Sequence, residues 1–367
     1  MKRTIYIVTL LATALFGMAE ETQERRKLPK VLAWAKAYMD SSTIKGIDRN
    51  YIEVPKKEWT VELLTTLNHA SMSMDTQWEE EELNGEFEIR THNELATAVG
   101  AAISYRSYTL SYAKMLTGSG SSFSLGTTSS NYAIHLSTKS YSSDRPEVMF
   151  KGTVNGEYFN EREKEQIGDP IRVRTLFIDG YYLFNGKRFS YLAAYTPSLI
   201  QRKSAGSVMV GAMYYHASIK YDSDNALEMT TLMQGTGKMK TTQVSVGAGY
   251  SYNWVPARGW LVNVTAMPML TLYNRTKMYN YGLEYIGDDI SEEDWDNFDS
   301  FRLRENGIYK TPNRVKLNFD ARLSLVYNWK NTFLRAEGQY NRFSMGGDNS
   351  SGHLTDWTAY ASVGIRF

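Results

Sequence analysis

One stretch near the end of the chain alternates strictly between apolar and polar side chains. Across 314–329 the apolar positions are Val315, Leu317, Phe319, Ala321, Leu323, Leu325, Tyr327 and Trp329, and the intervening positions begin with Arg314, Lys316, Asn318, Asp320, Arg322 and Ser324. Alternate residues of a strand lie on opposite faces, so one face of this strand is apolar along its whole length. A strand this long fits a bilayer and exceeds the usual strand of a soluble sandwich.

Two further stretches repeat the alternation. Residues 241–254 alternate Val244, Val246, Ala248, Tyr250, Tyr252 and Trp254 with Gln243, Ser245, Gly247, Gly249 and Asn253. The last segment places Ile365 and Phe367 on its apolar face and Ser362 on its polar face. A terminal aromatic residue that closes an amphipathic strand resembles the signal that bacterial outer-membrane proteins present to their insertion machinery. Phe367 and Ile365 are therefore the candidate insertion signal, and that machinery is an expected partner.

Composition excludes several other classes of protein. The mean hydropathy is −0.42 and only 42% of residues are apolar, which excludes a polytopic helical membrane protein. The formal net charge is +1, so no basic surplus supports nucleic-acid binding. The chain has no cysteine, which excludes disulfides, cysteine-ligated metals and a lipid-modified cysteine. The 26 Tyr and 8 Trp favour a membrane barrel, and we expect no cofactor and no metal.

The fold prediction is an all-β, transmembrane, antiparallel β-barrel of about 12 strands, with 10 or 14 as alternatives. Short and long joints alternate along the chain as they do in such barrels, except at 186–206, which we interpret as a periplasmic-side or lumenal insertion. The predicted strands are 59–71, 94–106, 108–116, 129–141, 147–159, 171–185, 207–222, 240–255, 259–273, 314–329, 332–345 and 355–367.

The predicted domains follow from the N-terminus. Residues 1–19 have a basic start, an apolar core and small residues before the predicted cleavage site at Ala19, as in an export signal. Residues 20–58 form a predicted periplasmic segment, with a possible short helix at 29–40, and 59–367 form the barrel. The expected location is the outer membrane of a Gram-negative bacterium.

The polar parity of the strands predicts a charged lumen. It would either conduct small solutes or be filled by ion pairs, because a barrel of this size is narrow. The acidic stretches 75–82 and 288–299 fall in predicted outer loops. They are either solvated or bridged by divalent cations to lipopolysaccharide, which with outer-membrane lipid is an expected partner. The predicted lumen-lining residues are Glu62, His135, Lys139, Lys151, Arg314, Lys316, Asp320, Arg322, Arg335 and Glu337.

One pair of residues raises the possibility of catalysis. His216 and Ser218 share one strand face, about 7 Å apart along the strand, in a His-x-Ser arrangement that resembles that of outer-membrane phospholipase. A serine nucleophile needs a base and an orienting third group, and Asn225 in the following loop is a candidate for that group. The Ser-Asn-Gly sequence of that enzyme is missing. The alternative reading is an interfacial His and Ser at the end of a strand.

Three segments together resemble an uncharacterised outer-membrane family common in Bacteroides-type bacteria, a domain of unknown function. They are the Lys-Gly-Ile-Asp-Arg-Asn-Tyr-Ile-Glu-Val-Pro segment 45–55, the Tyr-Tyr-Leu-Phe-Asn-Gly-Lys-Arg-Phe-Ser-Tyr segment 181–191 and the Gln-Arg-Lys-Ser-Ala-Gly-Ser segment 201–207. The resemblance implies the barrel and the outer membrane, but no activity, ligand or catalytic residue. We therefore predict a narrow or gated solute channel or a structural envelope protein, with a lipid hydrolase as the alternative.

Overall fold

A computed structural model describes residues 46–80, 83–92, 95–117, 119–143, 147–154, 156–163, 171–220, 236–285, 301–311, 313–346 and 350–367. The chain divides into two units, Met1–Ser41 and Ser42–Phe367, and the described residues all belong to the second. The predicted export signal 1–19 and the predicted helix 29–40 lie outside the described residues.

Strands make up nearly all of the regular structure. The one short helix among the described residues is α1 (Tyr191–Tyr195), and no helix there has the length and apolarity to cross a membrane. The strands are β1 Ile52–Glu53, β2 Trp59–Glu80, β3 Leu83–His92, β4 Ala96–Tyr105, β5 Tyr108–Met115, β6 Gly120–Thr128, β7 Tyr132–Ser143, β8 Glu147–Val154, β9 Glu157–Glu163, β10 Ile171–Leu183, β11 Ile200–Gln201, β12 Ala205–Lys220, β13 Thr236–Trp254, β14 Trp260–Tyr285, β15 Phe301–Lys310, β16 Lys316–Trp329, β17 Thr332–Gly346 and β18 Ser350–Arg366.

Twelve of these strands close into a ring. Around the ring the order is β2, β4, β5, β6, β7, β10, β12, β13, β14, β16, β17 and β18, and each pair is antiparallel. The last strand pairs with the first from Ser350↔Thr76 to Arg366↔Thr60, which leaves no open edge in the wall. The predicted all-β, 12-stranded barrel is confirmed, and the first and last strands bring residues 59 and 367 to the same end.

The outer face of the wall is apolar, as the alternation predicts, whereas the inner face carries both polar side chains and buried apolar ones such as Met209, Met213 and Tyr215 on β12. On β16, the side chains of Leu317 and Leu323 are 68% and 54% exposed, whereas those of Asp320 and Ser324 are 1% and 0% exposed. Trp254, Trp260 and Trp329 are exposed on the outer face beside the short turns. Exposed aromatic residues at this level are typical of the interface of a membrane barrel.

The strand prediction is wrong for two segments, 117–128 and 147–159. Residues 117–128 were expected to form an outer loop, but 120–128 form β6, a wall strand between β5 and β7. Residues 147–159 were expected in the wall, but β8 pairs with β3 and β9 outside it. The two errors cancel, so the count of 12 and the direction of every strand from β10 onward are correct.

Two groups of strands extend beyond the long-loop end of the wall. One contains the end of β2 with β3, β8 and β9, and the other pairs the end of β14 with β15. In the second, Arg302 and Arg304 donate hydrogen bonds to the carboxylate of Glu284 at 2.8 and 2.7 Å, and these bonds lower the pKa of Glu284. The side chains of the predicted acidic stretches 75–82 and 288–299 lie outside the described residues.

Candidate functional site: the plugged lumen

The chain enters its own barrel between β10 and β12. Residues 189–195 are buried, and Ser190 begins α1 by accepting a hydrogen bond from the Ala193 amide at 3.2 Å. We call residues 189–200 the plug. Of the predicted insertion 186–206, the plug is therefore the part that lies in the lumen.

Lumen-facing side chains of the wall satisfy the polar groups of the plug. Asn253 donates to the Ser190 carbonyl at 2.8 Å, and Ser324 donates to the Ala194 carbonyl at 2.6 Å. The Tyr195 hydroxyl donates to Asn263 Oδ1 at 2.6 Å. Buried polar groups are costly unless they are paired, so these bonds fix the plug in one position.

Three arginines on three neighbouring strands also bind the plug. Arg322 on β16 donates to the Tyr191 hydroxyl at 3.1 Å, and Arg335 on β17 donates to the Tyr195 carbonyl. On β18, Arg366 donates to the Pro197 carbonyl at 2.8 Å. Hydrogen bonds from ionised donors are stronger than neutral ones, so this side of the wall holds the plug most firmly.

A layer of ion pairs lies against the plug. Arg322 bridges Asp179 and Asp320 at 3.2 and 3.1 Å, and its guanidinium also contacts the Tyr181 hydroxyl. His135 Nδ1 lies 3.1 Å from the Asp179 carboxylate. Because these carboxylates are almost completely buried, each depends on its arginine for compensation of its charge.

A second centre lies beside the first. Arg335 pairs with Glu62 at 3.0 Å and with Glu337 at 2.8 Å. Ser362 on the last strand donates to the same Glu62 oxygen at 2.9 Å. The two arginines thus serve four carboxylates, and these pairs join four strands, β2, β10, β16 and β17, across the lumen.

The lumen is also filled toward the long-loop end. Lys139 donates to Thr358 at 2.6 Å and pairs with Asp356 at 3.5 Å. Nearby, the rings of Tyr215 and Phe343 stack with centroids 4.1 Å apart, and both side chains are only 2% exposed. Charged and aromatic contacts therefore cross the lumen above the plug.

One cavity of about 130 Å³ remains between these layers. Hydroxyl groups of Thr109, Ser111, Ser124 and Ser137 line one side of it, and the ionised layer lines the other. Leu64, Leu125 and Phe177 also line it, so its lining is mixed, and its volume suits a few water molecules.

Seven of the ten predicted lumen-lining residues lie on inward-facing positions of the wall. They are Glu62, His135, Lys139, Asp320, Arg322, Arg335 and Glu337. Lys316 begins β16, and Arg314 is an exposed residue just before it. The prediction for Lys151 is wrong, because β8 lies outside the ring and pairs with β3 and β9.

The predicted catalytic pair lies on the outer face of the wall. His216 is partly buried, and its Nδ1 lies 2.8 Å from the Thr242 hydroxyl on β13. Ser218 is two residues further along the same face. Asn225, the third member that the sequence offers, lies outside the described residues.

The three segments quoted from the sequence meet at the short-turn end. β1 pairs with β11, and the Asp48 amide donates to the Lys187 carbonyl at 2.8 Å. Ile52 packs with Leu192 and Leu199 in a small buried core. Gly186 packs against the backbone of Ser130, where a side chain would collide. These segments therefore build the plug and the layer beneath it.

The family model described as domain of unknown function DUF4421 matches residues 46–367. The chain belongs to this family. The match begins at the segment that pairs with β11, so the plug and the layer beneath it lie within the family domain together with the barrel. No curated protein shows significant similarity to the chain.

Solved outer-membrane barrels resemble the chain at low identity. The outer membrane protease OmpT of Escherichia coli is 7% identical, with a TM-score of 0.37 over 86% of this chain and 98% of its own. The β domain of the Bordetella autotransporter BrkA is 10% identical, with a TM-score of 0.31 over 85% and 100%. The translocator domain of NalP from Neisseria meningitidis is 12% identical, with a TM-score of 0.30 over 91% and 95%.

Sequence reasoning missed several residues of the site. Asp179 and Tyr181 lie on β10, where apolar and polar residues alternate less regularly. Tyr191 and Tyr195 lie on the plug. Arg366 lies on the polar, inward face of the last strand. A charged residue at an inward position next to the terminal Phe367 is the signal in the sequence that indicates it.

Proposed function

We propose that the protein is an outer-membrane barrel of a Gram-negative bacterium, of the Bacteroides type that its motifs suggest, and that its lumen is closed. The export signal 1–19 and the periplasmic segment 20–58 are part of this proposal. The apolar outer face, the exposed tryptophans beside the short turns and the even number of strands support it. Outer-membrane barrels have their short turns on the periplasmic side. In this proposal the short turns and the plug therefore face the periplasm.

The hydrogen bonding of the plug is the observation that carries the closed lumen. Three arginines from adjacent strands bind it, and the wall residues opposite bind it as well. Water and solutes would have to replace every one of these buried bonds in order to pass. This arrangement favours a structural envelope protein over an open channel, and a gated channel would need the plug to leave its site.

The proposed partners follow from the location. Outer-membrane lipid covers the apolar face, and the acidic outer stretches contact lipopolysaccharide through divalent cations or remain solvated. The insertion machinery recognises the last strand through Phe367 and Ile365, which are 54% and 51% exposed on the outer face. A small solute would be a partner only of an opened form.

The lipid-hydrolase alternative has weaker support. A nucleophilic serine needs its base within hydrogen-bonding distance, but the hydrogen bond found for His216 is to Thr242. The two side chains do share a lipid-facing surface, so their chemistry is open to a direct test.

One purified sample of the mature protein separates these functions. We expect it to come from the outer-membrane fraction, to give no steady conductance in a planar bilayer and to release no fatty acid from phospholipid vesicles. A steady conductance would instead indicate a channel. Fatty-acid release that disappears in Ser218→Ala and persists in Ser207→Ala, a matched serine on the inner face of β12, would indicate the hydrolase.

A further inference from the structure

The layer beneath the plug forms a distinct surface across one mouth of the barrel. We call residues 46–58, 185–188 and 201–204 the cap. It is attached to the lumen rather than to the outer wall, because Gln201 and the Ser190 carbonyl both accept hydrogen bonds from Asn253, which points into the barrel. Its residues therefore lie over the mouth and inside the lipid-facing perimeter.

The cap is strongly basic. Its carboxylates are Asp48, Glu53 and Glu58, and each lies within ion-pair distance of an arginine, at 3.9, 3.0 and 2.7 Å respectively. Five cations remain that have no carboxylate within that distance among the described residues, and all five are exposed. They are Arg49, Lys56, Lys57, Lys187 and Lys203.

Apolar anchors are missing from the described surface of the cap. Large apolar side chains are exposed around the wall, as at Phe184 (61%) and Trp254 (53%), but none of those found is within 46–58 or 185–204. Protein interfaces are enriched in aromatic residues at their centre, and membrane insertion also needs apolar side chains. A basic surface without them fits a hydrated polymer of negative charge.

We propose that the cap binds the peptidoglycan layer through the carboxylates of its peptide stems. This inference rests on the proposed orientation, in which the cap faces the periplasm. Peptidoglycan lies opposite the periplasmic mouth of an outer-membrane protein and carries carboxylates along its length. Exposed cations attract such a polymer through many weak contacts, so binding is sensitive to salt.

Co-sedimentation with purified peptidoglycan sacculi tests the inference. The full mature protein in detergent micelles is compared with Lys187→Glu/Lys203→Glu in the cap and Arg258→Glu/Lys330→Glu on the rim of the wall. Each exposed contact changes affinity by a factor of roughly 1.4 to 5, and charge reversal adds repulsion. We expect salt-sensitive binding of the wild type, a loss of at least about fivefold in the cap variant and less than about twofold in the rim variant.

Three results would overturn the inference. The first is that the wild type does not sediment with sacculi. The second is that both variants lose binding equally. The third is that the cap variant loses binding to anionic phospholipid vesicles but keeps its binding to sacculi. Labelling of Lys187→Cys in intact cells checks the orientation separately. If Lys187→Cys is labelled from outside, the proposed orientation fails, whereas absent sacculus binding with a protected Lys187→Cys refutes this inference alone.

Discussion

Arg366, the penultimate residue of the chain, donates from Nε to the carbonyl oxygen of Pro197 at 2.8 Å. Its strand, β18, forms the closing seam of the barrel with β2, and Pro197 lies in the plug. The same guanidinium reaches Asn328 and lies 4.8 Å from the Phe333 ring centroid. Docking of the plug and closure of the barrel are therefore joined through one side chain.

This bond predicts a loss of stability in Arg366→Met. The variant keeps much of the side-chain volume but leaves the buried Pro197 carbonyl and the partly buried Asn328 side chain without this donor, which lowers the free energy of unfolding by about 1 to 3 kcal/mol. The measurement is the temperature at which the compact folded band on a gel converts to the unfolded band. Lys330→Met, an exposed cation on the turn between β16 and β17, should leave that temperature unchanged.

Removal of Arg322 should have a larger effect. Arg322→Met removes the arginine from the buried carboxylates of Asp179 and Asp320 and leaves His135 as the remaining partner of Asp179. Breaking a buried pair in this way costs about 3 to 5 kcal/mol. Adding Asp179→Asn and Asp320→Asn should restore part of the loss, because neutral side chains need no countercharge. The same thermal gel assay measures both. Equal stability of Arg322→Met and the wild type would refute the ion-pair layer.

Single cysteines test the orientation, since the natural chain has none. Leu232→Cys, in the joint between β12 and β13, and Glu293→Cys, in the joint between β14 and β15, should react with an impermeant reagent on intact cells. Lys187→Cys, at the short-turn end, should react only after the outer membrane is permeabilised. The inverse pattern would reverse the barrel in the membrane.

The last strand predicts a defect of insertion. Ile365→Asp and Phe367→Asp place a carboxylate on the lipid-facing side, at a cost of up to a few kcal/mol depending on depth. We expect less folded protein in the outer membrane, measured by heat-modifiable gel mobility, while Ile365→Val should behave as the wild type. Normal recovery of Ile365→Asp would contradict the placement of this face.

The structure shows that Ser362→Asp is not a suitable lumenal control for Ile365→Asp. Ser362 stands on the polar face, which predicts that Ser362→Asp is milder than Ile365→Asp. In the barrel, however, its hydroxyl donates to Glu62 at 2.9 Å. Ser362→Asp would set two carboxylates against each other, so Ser362→Ala is the appropriate lumenal control.

Alternation predicts which face of a strand is buried but not which neighbour it pairs with. On β16 the parity correctly separates Leu323 from Arg322, because a membrane outside and a polar lumen inside impose opposite demands. Residues 147–159 have the same local pattern, but they pair outside the wall. Pairing depends on contacts that are distant in sequence, which local periodicity does not contain.

The opposite error at β6 has a related cause. Residues 120–128 are rich in Gly and Ser, a composition typical of loops. In the barrel, neighbouring strands on both sides supply the backbone hydrogen bonds, and Ser124 bonds Ser111 across the lumenal face at 2.6 Å. The plug was unpredictable in detail for the same reason, because its position depends on Arg322, Arg335 and Arg366 from the far end of the chain.

Planar-bilayer conductance is the most direct test of the closed lumen. The wild type is compared with a variant in which a Gly-Ser linker replaces 189–200 and in which Tyr215→Ala and Phe343→Ala remove the stacked pair. Both proteins must first show the compact folded band on a gel. We predict that the wild type is silent and that the variant gives steady conductance steps, whereas steady steps from the wild type would contradict the plugged barrel.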